Sequence, residues 1–245
     1  MPTNSPTLSP AGSGRIPPAI GARVAVGLAA YVALFAVLLF VPAGTPRWPR
    51  GWVALGVMAV LRAVAAVRAL RVNPELMAER TGLPIREGQP MLDRVLVSTF
   101  MASFAAQVAF CSADVFHLRL LPRPPLAVSL AGLLLFAAGW WIAGLTVKTN
   151  AFAAVAVRHQ EERRHTVVDT GVYAVVRHPM YAGTSAVMVG MGLWLGSYAG
   201  ALLALIPIAL LAARIVLEER FLRRTLAGYD DYTRRVRWRL VPGLW

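Results

Sequence analysis

Between Gly171 and Gly183 the chain sets Tyr173, Arg177, His178, Pro179 and Tyr181 within thirteen residues. Two adjacent carboxylates, Glu218 and Glu219, follow beyond a wholly apolar stretch. Arg177 offers a planar fork of donors for a carboxylate or phosphate. His178 stands directly before Pro179, so its backbone is pushed toward extended geometry. Pro179 then opens a helix whose first turn carries unpaired N–H groups and a positive end suited to an anion. Gly171 and Gly183 permit positive φ or close backbone approach, and the carboxylates suit an ammonium or a hydroxyl. As a set, these groups fit a polar, charged small molecule bound at a bilayer surface. Each also has a plainer use. Arg177 can snorkel to lipid phosphates, Tyr173 and Tyr181 can join an aromatic belt, and Glu218 and Glu219 can form helix-surface pairs with Arg214 and Arg223. Those uses account for the residues singly and leave their convergence unexplained.

The elements that must position them are membrane helices. Hydrophobic residues make up 57% of the 245-residue chain, and its mean hydropathy of +0.58 is well above that of an ordinary soluble domain. Six apolar stretches, roughly 20–42, 51–70, 93–117, 125–147, 180–196 and 198–217, approach or exceed the ~20 residues a spanning helix needs. The expected fold is all-α, a polytopic membrane bundle of about six transmembrane helices. The fifth stretch is short and begins at Pro179, so it is expected to be tilted or recessed; Gly196-Ser197 makes a tight hairpin between the last two. The first stretch is too long for a signal-peptide core and is expected to be retained.

The net charge of +13 does not indicate nucleic acid, because the arginines gather between apolar segments as in cytoplasmic loops. One face receives Arg15, Arg71, Arg80, Arg86, Arg94, Lys148, Arg158, Arg163, Arg164, Arg177 and the Arg-rich tail. The other receives Arg47, Arg50, Arg119 and Arg123. This asymmetry places both termini, the thirteen-residue block and the Glu pair in the cytoplasm. Residues 1–18 read as a disordered tail, 19–124 as N-terminal membrane helices with a cytoplasmic loop, and 125–245 as the region bearing the chemistry. Asn73–Arg80 reads as a short interfacial helix. The single cysteine, Cys111, gives no internal disulfide and no thiolate zinc site, so no metal is expected.

The ordered set Gly171-x-Tyr173-x-x-x-Arg177-His178-Pro179-x-Tyr181-x-Gly183, the apolar hairpin, Glu218-Glu219 and the tail Gly228-Tyr229-Asp-Asp-Tyr232 through Arg237 to Trp245 resembles the isoprenylcysteine carboxyl methyltransferase family, related to the phospholipid N-methyltransferases. The resemblance covers residues 125–245; the N-terminal part matches only through Asn73-Pro-Glu-Leu and Asp93-Arg94. It implies an integral membrane enzyme that uses S-adenosylmethionine, bound by the C-terminal region. Tyr173, His178, Pro179, Tyr181, Gly183, Glu218 and Glu219 would then hold the cofactor. The helix start and His178 would take its carboxylate, the glutamates its ammonium or a ribose hydroxyl, and the tyrosine rings its sulfonium or adenine.

The implied reaction is in-line displacement of the sulfonium methyl by a lipid-like or prenylcysteine-type acceptor, with membrane lipids around it. A carboxylate acceptor needs no base, and Arg177 or Arg237 would orient it. An amine acceptor must lose a proton, with Glu218, Glu219 or His178 as base. An alternative is a membrane NADPH-dependent sterol-type reductase, whose similar block differs at Met180 and Thr184. Another is a small transporter using the intramembrane polar residues Arg62, Asp114 and His117, for which pairing or snorkelling is the simpler role.

Overall fold

The computed structural model describes residues 18–72, 90–149 and 167–245. Among these the regular structure is helical, without strands. The helices are α1 (Pro18–Ala43), α2 (Pro49–Val72), α3 (Met91–Ala113), α4 (Leu126–Thr149), α5 (Pro179–Leu195), α6 (Tyr198–Leu203), α7 (Leu205–Thr225) and α8 (Tyr229–Arg235). A π-turn, Asp114–Leu118, continues α3, and a 3₁₀ turn, Gly171–Ala174, precedes α5. The expected disordered tail and the Asn73–Arg80 helix lie outside the described residues, apart from Pro18, which begins α1.

Among the described residues, five helical stretches are long and apolar enough to cross a membrane: Pro18–Ala43, Pro49–Arg71, Met91–Leu118, Leu126–Val147 and Tyr198–Thr225. Leucines, valines and a tryptophan on these helices remain exposed, among them Val26, Leu34, Trp52, Val60, Leu134 and Leu202. In a bilayer protein such residues face lipid rather than water. The fifth apolar stretch of the sequence, α5, has 17 residues, and Pro179, Val187, Met188, Met191 and Leu195 on it are buried. It is an inner helix.

Glycines explain how α5 fits so closely. Gly139 and Gly183 face each other across the α4–α5 contact, and a Cβ on Gly183 would lie 2.6 Å from the Gly139 carbonyl oxygen. One level away, a Cβ on Gly190 would lie 2.5 Å from the Phe136 amide. Membrane helices lack a hydrophobic drive toward one another, so small residues that let backbones touch supply the packing energy. Gly196, at φ 101°, ends α5, and Ser197 caps α6 by accepting the Gly200 N–H at 2.7 Å. This is the expected hairpin.

Two of the intramembrane polar residues serve these joints. The Asp114 carboxylate accepts hydrogen bonds from the Ser197 hydroxyl and the Leu120 amide. The His117 Nε2 lies 3.0 Å from the Pro42 carbonyl oxygen at the end of α1. Both therefore have the structural roles expected of them. Arg62 is different and is considered below.

Candidate functional site

Glu219 is the hub of the C-terminal region. It lies near the last turns of α7 and is 3% exposed. Its Oε1 accepts from Arg177 Nε at 2.6 Å and lies 3.2 Å from His178 Nε2. Its Oε2 accepts from Arg239 Nε at 3.0 Å. One carboxylate thus joins the entrance of α5, the end of α7 and the C-terminal tail. The arrangement is possible because His178, with φ −123° and ψ 61°, is not yet helical while Pro179 already is. The chain therefore turns at His178 and carries Arg177 and His178 together toward α7.

The tail completes the cradle. Arg177 N–H donates to the Trp238 carbonyl and His178 N–H to the Arg239 carbonyl, each at 2.9 Å. Arg177 Nη1 donates to the carbonyls of Val236 and Arg237, each at 2.8 Å. A small separate core of Leu226, Tyr229, Tyr232 and Val236 holds α8 in place. The Tyr232 hydroxyl donates to the Tyr173 carbonyl at 2.8 Å. Burial pushes the phenols of Tyr229 and Tyr232 well above their ordinary range; the charge of Glu219 adds to this at Tyr229, and Tyr173 adds to it at Tyr232. Both phenols stay protonated donors at neutral pH.

Glu218 has a different environment. It is half-buried, and its Oε2 accepts from the Tyr181 hydroxyl at 2.7 Å. No other hydrogen bond to this carboxylate is found among the described residues. The Tyr181 ring lies parallel to the His178 ring, with centroids 5.6 Å apart and 4° between planes. Behind it, the Arg214 guanidinium stands 5.7 Å from the Tyr181 centroid and pairs with Asp93 of α3, Nε to Oδ1 at 2.8 Å. The arrangement thus offers two stacked rings, a half-open carboxylate and the start of a helix in one place.

The sequence-predicted residues divide in three. Arg177, His178, Tyr181, Glu218 and Glu219 meet through side chains. Tyr173 joins through its carbonyl, and Pro179 sits buried at the helix start. Gly183 is helical and turned to α4, where it serves close packing. Gly171 does take positive φ, at 58°. Arg237 is exposed beside the cluster and contributes its carbonyl to Arg177. The simple helix-surface pairs do not form: Arg214 bonds Asp93, and Arg223 bonds Asp230.

Arg239, Asp93 and Arg214 were not among the predicted site residues. Arg239 has a sequence signal, since it lies two residues beyond Arg237 in a non-helical tail, where extended backbone puts residues two apart on one face. Asp93 had only its place beside Arg94. Its pairing across 121 positions with Arg214 leaves no local trace.

Residues 128–228 match the phospholipid methyltransferase family, a span that includes the whole block from Gly171 to Gly183 and both glutamates. No curated protein matches the sequence. Among solved structures, the eukaryotic intramembrane Ras methyltransferase isoprenylcysteine carboxyl methyltransferase is similar, with a TM-score of 0.53 and 20% identity. The likeness covers 89% of this chain and 75% of that one. The family match is confined to the C-terminal region, and the likeness to the solved structure shows a shared fold over most of the chain.

Proposed function

We propose that the protein transfers the methyl group of S-adenosylmethionine to a lipid-like acceptor, at a pocket built by the α5 entrance and the acidic end of α7. The observation that carries this reading is the meeting of His178, Tyr181, Glu218 and Glu219 around one helix start. The cofactor has an ammonium, a carboxylate, a sulfonium and an adenine, and the residues present fit each. Glu218, with acceptor capacity to spare, would take the ammonium or a ribose hydroxyl. The first turn of α5, opened by Pro179, would face the carboxylate. The paired rings of His178 and Tyr181, with Tyr173 nearby, would lie against the sulfonium or adenine. When bound, the cofactor supplies an electrophilic methyl group.

In this reading Glu219 and Arg177 are positioning residues. They form a buried ion pair that Arg239 also joins, and their work is to hold His178 and the tail against α7. Arg237, exposed beside them, would orient an acceptor carboxylate. Carboxyl O-methylation is the favoured chemistry because it needs no base, and the two carboxylates already hold hydrogen bonds. Holding the acceptor and donor in line would supply much of the acceleration. The charge distribution of the sequence puts this site and both termini on the cytoplasmic face.

The test is a transfer assay with methyl-labelled S-adenosylmethionine against membrane lipids, small thiols and prenylcysteine analogues. The expected product is a base-labile methyl ester on an acidic amphiphile. NADPH binding with none for S-adenosylmethionine would overturn the reading in favour of a reductase.

A further inference from the structure

Asp93, in the first turn of α3, and Arg214, on α7, are both buried. Arg214 Nε donates to Asp93 Oδ1 at 2.8 Å, and Nη2 reaches Oδ2 at 3.5 Å, so one carboxylate fixes the plane of the guanidinium. The pair joins residues 121 positions apart. α3 also lies outside residues 128–228, the span that matches the phospholipid methyltransferase family. An N-terminal helix therefore supplies a charge to the region that bears the chemistry.

That charge matters because of where else Arg214 could turn. Arg214 and Glu218 stand four residues apart on α7, the spacing that sets two side chains on one helix face. The local pair nevertheless does not form. Glu218 Oε2 accepts from the Tyr181 hydroxyl at 2.7 Å, while Arg214 goes to Asp93. Yet the guanidinium is close, 5.7 Å from the centroid of the same Tyr181 ring. A buried guanidinium deprived of its carboxylate is costly and takes a neighbouring one where it can. Glu219 is already engaged by Arg177, His178 and Arg239. Glu218, with one hydrogen bond, is the open choice.

We propose that Asp93 is a positioning residue that draws Arg214 away from Glu218, and so keeps the Glu218 carboxylate open to the ammonium or a ribose hydroxyl of S-adenosylmethionine. The inference rests on the methyl-transfer reading and deepens it, because it ties cofactor affinity to a residue of α3. A pair that only tied α3 to α7 could sit at any level of the two helices. This one sits one ring behind the carboxylate it spares.

The experiment measures equilibrium binding of labelled S-adenosylmethionine to the full chain in nonionic micelles, with a thermal melt of each preparation. Asp93→Leu releases Arg214 and should weaken binding about tenfold or more, the scale of a lost charge-assisted contact. Adding Arg214→Met replaces the buried pair with apolar side chains, a change that commonly preserves stability. It should restore affinity to within about threefold of wild type, a rescue that a merely structural pair would not give. Glu218→Gln supplies a second cycle, independent of that double variant: in its background Asp93→Leu should change affinity by about threefold or less. Wild-type affinity in Asp93→Leu would overturn the proposal. So would a tenfold loss that persists with Arg214→Met at a wild-type melting temperature, or one that persists in the Glu218→Gln background. Absence of saturable binding by the wild-type chain would overturn the methyl-transfer reading itself and this inference with it, so the two failures are distinguishable.

Discussion

The Glu219 cluster and the Arg62 cage are both buried groups of charge and aromatic rings, yet they are built in opposite ways. Around Glu219 both carboxylate oxygens are engaged: Arg177, His178 and Arg239 share them, and Arg177 Nη1 also reaches two backbone carbonyls. Around Arg62 the cation lies against the rings of Tyr31 and Trp140, and its Nε has no acceptor among the described residues. A saturated network holds elements in a fixed relation; an unsaturated one does not. Beside the saturated cluster Glu218 keeps spare acceptor capacity, and that is where the cofactor's cationic end is proposed to sit.

The comparison breaks most visibly at Glu219. Glu219→Ala would leave buried Arg177 and His178, and half-buried Arg239, around a missing carboxylate, costing about 3–5 kcal/mol. Thermal melts in micelles should show the drop, and methyl transfer should be lost. A wild-type melt for this variant would mean the cluster does not hold the tail. Asp93→Ala comes next, at about 3 kcal/mol, because Arg214 loses its carboxylate but keeps the Tyr181 face. Its effect should appear in the same melts and, through Tyr181, as weaker cofactor binding. Gly183→Ala presses a methyl group onto the Gly139 carbonyl and should cost about 1–3 kcal/mol as overpacking, again read as a lowered melting temperature. The smallest effect is expected at Arg62. Arg62→Met removes an unanswered charge and its ring contacts together, so stability should stay within about 1 kcal/mol of wild type. A loss as large as that of Glu219→Ala would show that Arg62 has a structural partner and would erase the contrast.

Much of this was legible before the structure. Apolar runs of spanning length give the helices, because the bilayer dictates length and every backbone group must be bonded internally. The meeting of Arg177-His178-Pro179 with Glu218-Glu219 is readable because proline fixes the turn and the hairpin returns the chain to the side on which α5 begins. Partner choice within the cluster was not. Local spacing pairs Glu219 with Arg223, whereas the fold gives it Arg177 and Arg239, since a buried carboxylate takes the cations that reach it through the core. Gly183 was read as a ligand-facing glycine. The same absence of a side chain suits close helix contact, and only the position of Gly139 across the interface decides between the two. Asp93 and Arg214, and the cage of Tyr31, Arg62 and Trp140, join residues far apart in sequence, so neither pattern nor propensity marks them.

Equilibrium binding of labelled S-adenosylmethionine to the purified chain and to Glu218→Gln tests the central claim most directly. This substitution keeps an oxygen for the Tyr181 hydroxyl and so should leave the melt unchanged. The account predicts saturable binding by the wild-type chain, weakened about tenfold or more in the variant, the scale of a lost charge-assisted contact. No saturable binding by the wild-type chain, or equal binding by the two, would contradict it.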